Sequence, residues 1–321
     1  MRRNAINKKY NSLFLRIIIL FRKIFMPGGA MSDRQMAILF LAPCALIVGF
    51  LGVYPVIRTI LLSLFIKGTL SPKIGPFVGL SNLVNILKSH QFRIALLNSI
   101  IWTGGTVALQ FVVGLILSLM LYKEFRGRNI MRSIIIFPYL IPVVVGVLVW
   151  KYMFNDLIGV VNYIFYLLGY RKSIGWLSNP NTAMFSVIIA GTWKYFPFMV
   201  ICFLARLQTV SLELYDAARV DGANWWQEFV HITFPIIKPV VMIVLLLRTI
   251  WMFNNYDFLA LLTGGGPGFI TTTLPILVYR KVFAEFSMSG GAAMGVFMFL
   301  ILYATASLYL FLYERAEQEL G

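Results

Sequence analysis

An all-α fold of six transmembrane helices is what this sequence predicts, and three observations carry the prediction. Of the 321 residues, 60% are hydrophobic and only 12% are charged, with a mean hydropathy of +0.82. A water-soluble chain needs roughly twice that charged fraction to cover its surface. Apolar runs close to or beyond the ~18 residues that cross hydrocarbon as a helix recur along the chain. The third observation is that the formal net charge of +16 is gathered between those runs, which is a topology signal rather than a nucleic-acid footprint.

Residues 1–34 carry Arg2, Arg3, Lys8, Lys9, Arg16, Arg22, Lys23 and Arg34 and read as a basic cytoplasmic tail. Within it, the charge-interrupted run Leu13 to Phe25 suits the membrane interface. No small-residue cleavage site comes after that run, so it does not read as a signal peptide. Residues 35–313 are expected to form the transmembrane domain. Its spans are Met36 to Leu61, with Pro43 and Pro55 inside; Ile94 to Tyr122, without a charge; Ser133 to Tyr152, bent by Pro138 and Pro142; Ala183 to Leu204; Pro239 to Leu262, with Pro239 in the first turn; and Ser289 to Leu312. Gly290, Gly291, Ala292, Ala293 and Gly295 make the start of the last span a packing face of small residues. The run Thr263 to Gly268 carries four glycines and a proline and cannot be regular helix. Residues 314–321 close the chain as a short cytoplasmic tail.

Six spans put both termini on one side. Of the 28 lysines and arginines, 16 fall on that side, nine on the other, and Arg58, Lys194 and Arg248 lie within spans. The positive-inside rule therefore places both termini, and the loop 205–238 between the fourth and fifth spans, in the cytoplasm.

That loop holds the most distinctive stretch, Leu214 to Pro239. Asp216, Ala217 and Ala218 read as helical, Asp221-Gly222-Ala223 as a turn, and Asn224 as the cap of a second helical piece running to Phe234. The segment is expected to break at Gly222 and again at Pro235. Its small side chains permit close approach by another surface, while Arg219, Asp221 and Glu228 keep it wet. An ordinary interfacial helix is the plainer explanation of the same pattern.

Enzymatic motifs are missing. There is no Walker A sequence, no GxSxG and no HExxH; Cys44 and Cys202 sit in separate apolar stretches, and His90 and His231 stand apart. No catalytic group or metal site assembles at this level, and the chain has no evident means of hydrolysing ATP. Two cations are expected deep in spans: Lys194 lies about 18 Å along its helix from Arg206, and Arg248 about 14 Å from Pro239. Buried charges at such depth face an aqueous path, a partner or a structural pair. Around the fifth span, the residues Trp251, Asn254, Asn255, Tyr256 and Asp257 combine aromatic planes with hydrogen-bonding groups, a surface that suits sugars. An interfacial aromatic belt explains the Trp and Tyr equally well.

The residues Asp216, Ala217, Ala218, Asp221, Gly222, Ala223, Phe229, Ile232, Pro235 and Pro239 resemble the cytoplasmic signature loop of the permeases of bacterial ATP-binding cassette (ABC) importers, with Asp216 where the family usually has Glu. The stretch Leu262 to Pro267, together with Thr272, Thr273 and Tyr279, resembles the carbohydrate-uptake branch, in particular the first permease of maltose-type and glycerol-phosphate-type systems. The resemblance implies a type I ABC importer permease fold in the bacterial cytoplasmic membrane. It also implies coupling to ATPase subunits through Asp216, Ala217, Ala218, Asp221, Gly222 and Ala223. Two such subunits would use ATP and Mg; a second homologous permease, an extracytoplasmic solute-binding protein and membrane lipid complete the expected surroundings, with no cofactor held by this chain and no nucleic acid. Lys194, Arg248, Trp251, Asn254, Asn255 and Asp257 are the candidates for the substrate pathway. A permease for a phosphorylated polyol and a stand-alone secondary transporter are the alternatives.

Overall fold

The computed structural model describes residues 33–71 and 73–318, so residues 1–32 of the basic tail and the last three residues of the chain lie outside the described part, while Asp33 and Arg34 already belong to the first helix. The chain divides at Arg58 and Thr59 into two compact units. The first contains α1 (Asp33–Val48), a π-helical turn (Gly49–Val53) and the beginning of α2 (Tyr54–Ser63). Its apolar side chains, among them Phe40, Leu46, Phe50 and Leu51, are exposed, as expected of a helix whose solvent is lipid.

That π turn has a cause in the sequence. A proline has no N–H to give and its ring collides with the carbonyl four residues back. Before Pro55 the helix widens, and the Tyr54 N–H bonds Gly49 O five residues earlier. The same device recurs at Phe229–Thr233, where the Phe234 N–H reaches Phe229 O just before Pro235. A break at Pro235 is therefore not found. A continuous span runs from Trp225 to Phe253, with the wide turn absorbing the proline.

The second unit, which also contains α3 (Ser81–Lys88) and α7 (Val160–Leu167), is organised by α4 (His90–Tyr122) and α8 (Pro180–Leu207), which pack along much of their lengths. Their seam is a buried stripe at i, i+4 spacing on α4, the large Trp102 followed by the small or polar Thr106, Gln110, Gly114 and Ser118. A Cβ on Gly114 would stand 2.7 Å from the Met199 Cβ, and one on Gly191 would stand 2.3 Å from the Trp102 ring, so the backbones approach as closely as only glycine permits. The hydroxyls of Thr106 and Ser118 are satisfied within α4, Thr106 Oγ1 donating to Trp102 O at 2.6 Å and Ser118 Oγ to Leu115 O at 2.8 Å. Trp102 Nε1 donates to Met252 O at 2.9 Å and ties α4 to α11 (Phe234–Phe253).

Three expectations about the spans need correction. The third span is not a bent helix: α5 (Arg128–Leu140) and α6 (Val143–Met153) meet at 97°. Ile141 and Pro142 are extended there, and Pro142 has no N–H to continue the ladder. The described residues thus hold five helices long and apolar enough to cross a membrane, or six with the bent pair counted as one. The fifth span does not begin at Pro239, which is interior to α11; Pro235 occupies its first turn. Nor does it reach Leu262, because α11 stops at Phe253 and α12 (Asp257–Leu262) is a separate helix.

The glycine run is non-helical as expected, with Gly264, Gly265 and Gly268 at positive φ. It is pinned rather than loose. Asn98 donates to Phe269 O and Thr272 O, Arg280 donates to Gly264 O at 2.6 Å, and Thr271, Thr272 and Thr273 are buried. The short helix α13 (Leu274–Tyr279) and a π turn (Arg280–Ala284) come next, neither of them read from the sequence. α14 (Met288–Gln318) then packs the small residues Ala292 and Ala293 against the last connection, Ala293 entering a second core with Phe92, Ala95, Leu274 and Leu277.

Candidate functional site

Between α8 and α11 the chain forms α9 (Leu212–Val220) and the single-turn α10 (Trp225–Glu228). Ser211 caps α9, its hydroxyl accepting from Glu213 N at 3.3 Å, and Glu213 in the first turn complements the helix dipole. The helix ends in a Schellman motif: Gly222 N donates to Arg219 O and Ala223 N to Ala218 O, with Gly222 left-handed at φ +83°. Asn224 then opens α10 with a full capping box, its side chain accepting from Gln227 N at 3.0 Å while its own N–H donates to Gln227 Oε1 at 2.8 Å.

These caps give the six signature residues one local geometry. Asp216, Ala217, Asp221 and Gly222 are exposed and Ala218 and Ala223 half-buried. Ala218, Asp221, Gly222 and Ala223 line a shallow hollow of about 340 Å³ with Gln227 and Ile232. Small side chains around a left-handed glycine make a surface another protein can approach closely. Beside it, Arg219 Nε donates to Glu228 Oε1 at 2.8 Å, which raises the guanidinium above its ordinary value.

The deep polar residues separate into two places. Lys194, only 2% exposed, spends all three ammonium protons on backbone carbonyls: Pro138 at 2.8 Å, Tyr139 at 3.0 Å and Ile141 at 2.6 Å. These are carbonyls orphaned by the break between α5 and α6, so Lys194 caps the end of α5 from another helix.

Arg248, also 2% exposed, sits in different company. Its Nε donates to Gln110 Oε1 at 2.9 Å and a terminal nitrogen lies 3.6 Å from Met252 Sδ. Its guanidinium carbon is 5.1 Å from the Tyr195 ring, 5.6 Å from Phe198 and 5.6 Å from Trp251. Among the described residues it makes no ion pair. Rings turn their negative faces to it, which offsets part of the burial cost of the charge. Asn255 joins the group by donating to Tyr195 Oη at 3.1 Å, and its Oδ1 is buried without a partner among the described residues. The half-exposed Trp251 completes a surface of aromatic planes, an amide and a cation.

Asn254 and Asp257 are exposed nearby: Asn254 Nδ2 donates to Ile250 O at 3.0 Å at the end of α11, and Asp257 lies in the first turn of α12. The structure therefore brings Arg248, Trp251 and Asn255 together and leaves Lys194 at the helix break. Tyr195, Phe198 and Gln110 belong to the group and were not singled out from the sequence. The available signal was the i, i+3 pair Tyr195 and Phe198 beside the deep Lys194.

The family described as binding-protein-dependent transport system inner membrane component matches residues 110–318. The inner membrane ABC transporter permease protein YcjO of Escherichia coli (strain K12) is 39% identical over 276 residues, 85% of this chain and 92% of that protein. The trehalose/maltose transport system permease protein MalF of Thermococcus litoralis is 32% identical over 279 residues, 87% of this chain and 93% of its own. Among solved structures, a bacterial ABC transporter involved in import of the acidic polysaccharide alginate contains a chain that superposes with a TM-score of 0.74 at 22% identity, covering 88% of this chain and 96% of that one. With the signature residues gathered on α9 and its glycine turn, and with this coverage, the chain belongs to the family of binding-protein-dependent transport system inner membrane components, as a membrane permease subunit of an ABC transporter.

Proposed function

We propose that this permease imports a neutral mono- or oligosaccharide across the bacterial cytoplasmic membrane, both termini cytoplasmic, forming half of a translocation path with a second homologous permease. An extracytoplasmic solute-binding protein delivers the sugar to the outer face. Two ATPase subunits, which hold the ATP and Mg, dock on Asp216, Ala217, Ala218, Asp221, Gly222 and Ala223. Closure of the ATPase pair moves α9, and the broken spans change between inward-facing and outward-facing arrangements.

The observation that carries the sugar reading is the cluster at the far end of α11 from the signature turn. Sugars present C–H faces to rings and hydroxyls to amides, and here Trp251 and Tyr195 offer the rings while Asn255 Oδ1 has no partner among the described residues. The MalF relative, a trehalose/maltose transport system permease, supports the same class. A phosphorylated polyol is the second reading, favoured by Arg248, a buried cation without a carboxylate among the described residues.

Two experiments test the proposal. Affinity purification of the tagged chain from its native membrane is expected to bring down an ATPase and a second permease; a chain purified alone yet active in uptake would point to a secondary transporter. Asn255→Ala and Asn254→Ala are expected to lower sugar uptake with complex assembly and abundance retained. Unchanged uptake in both would remove these residues from the pathway.

A further inference from the structure

α9 is joined to the membrane helices by little. Val220 is 88% exposed, and among the described side chains of α9 Tyr215 alone is buried. A groove of about 850 Å³ lies beside it, walled by Ile116, Met120, Tyr122, Trp225 and Phe229. The backbone leads from α9 to α11 through the left-handed turn at Gly222, a joint with no side chain to stiffen it.

Two side-chain ties bypass that joint. Tyr215 Oη and Thr233 Oγ1 lie 2.9 Å apart in a buried hydrogen bond. Thr233 Oγ1 uses its own proton on Glu228 O at 3.3 Å, so Tyr215 is the donor. Arg219 Nε donates to Glu228 Oε1 at 2.8 Å, and the Glu228 side chain is almost fully buried. Of the two anchors, Glu228 immediately precedes the π turn Phe229–Thr233 and Thr233 closes it. The extra residue in that turn rotates the helix beyond it relative to regular α-helical register. Both ties therefore end on the segment that continues as α11 to Arg248 and Trp251.

We propose that Tyr215–Thr233 and Arg219–Glu228 are positioning pairs that make α9 and the base of α11 one rigid lever, so that displacement of α9 is delivered to α11 instead of being absorbed at Gly222. The proposal rests on the reading of α9 as the ATPase contact and adds the route by which its motion reaches the membrane. None of the four is one of the six signature residues, but Arg219 Nη1 lies 3.5 Å from Asp216 Oδ1, so subunit stoichiometry is measured beside stimulation to separate docking from transmission.

The test uses the full transporter, both permeases with the ATPase, reconstituted in proteoliposomes with loaded solute-binding protein. In a variant carrying Tyr215→Phe and Arg219→Glu, the ATPase is expected to remain bound at wild-type stoichiometry. Stimulation of hydrolysis by loaded binding protein, and uptake, should fall about fivefold or more, the low end of typical coupling between sites. A charge exchange, Arg219→Glu with Glu228→Arg and Tyr215 intact, should recover most of both, a rescue that a merely structural pair does not require of stimulation. Wild-type stimulation in the first variant, or no recovery in the exchange, would overturn the lever. Loss of the ATPase from the first variant would also overturn it, by placing these residues in the docking surface. Failure of the underlying contact reading looks different: Gly222→Val, which alters the docking face, would leave binding and stimulation intact.

Discussion

Replacing Lys194 by Met tests whether this buried ammonium is a helix cap. The two side chains are similar in length, so the change removes the charge and three donors without opening a large cavity. It leaves the carbonyls of Pro138, Tyr139 and Ile141 without the partner that reaches them at 2.6 to 3.0 Å. An orphaned buried acceptor costs about 1–3 kcal/mol, so three cost roughly 3–9 kcal/mol. Against this, the variant no longer buries an ammonium in the membrane, a relief of about 2.5–3.5 kcal/mol. The balance is a destabilisation of about 3 kcal/mol, which for a chain of 321 residues corresponds to a fall in Tm of roughly 4–5 °C. Thermal unfolding of the purified complex, monitored by size-exclusion chromatography or intrinsic fluorescence, reads this directly. A Tm within about 2 °C of wild type, together with lost uptake, would refute the reasoning and return Lys194 to the solute path.

Other consequences are equally specific. Gly191→Ala places a methyl 2.3 Å from the Trp102 ring, in a seam with no space to yield, and should destabilise by about 1–3 kcal/mol in the same assay. An impermeant thiol reagent on intact cells should label a cysteine at 266 and miss one at 223, and the opposite pattern would invert the topology. Arg248→Gln removes one charge-assisted bond to Gln110; uptake of a neutral sugar should persist to within about tenfold. Uptake confined to an anionic solute and abolished by Arg248→Gln would replace the sugar reading with the phosphorylated one.

Much of this architecture was legible in the residues, for identifiable reasons. Long apolar runs mark spans because hydrocarbon tolerates little else. The Gly222 turn and the Asn224 cap were readable because a left-handed turn and a capping box are local chemistry, decided within a few residues. The features that could not be read depend on distant partners. Pro138 and Pro142 announce a deformation, but whether a helix bends or breaks depends on which group satisfies the freed carbonyls, and Lys194 comes from more than 50 residues away. Pro235 reads as a break until a wide turn is allowed for. The grouping of Gln110, Tyr195, Phe198 and Arg248 needs α4, α8 and α11 packed together, which no local pattern announces.

The central claim is that the exposed turn after α9 is where force from ATP hydrolysis enters this chain. Gly222 sits there at φ +83°, where a β-branched residue costs at least about 1–2 kcal/mol and a bulky side chain would stand on the proposed docking face. Reconstituted Gly222→Val complexes should therefore keep the permease in the membrane while the ATPase detaches, or while its hydrolysis no longer responds to loaded binding protein. Wild-type subunit stoichiometry, wild-type stimulation and wild-type uptake in that variant would contradict the account.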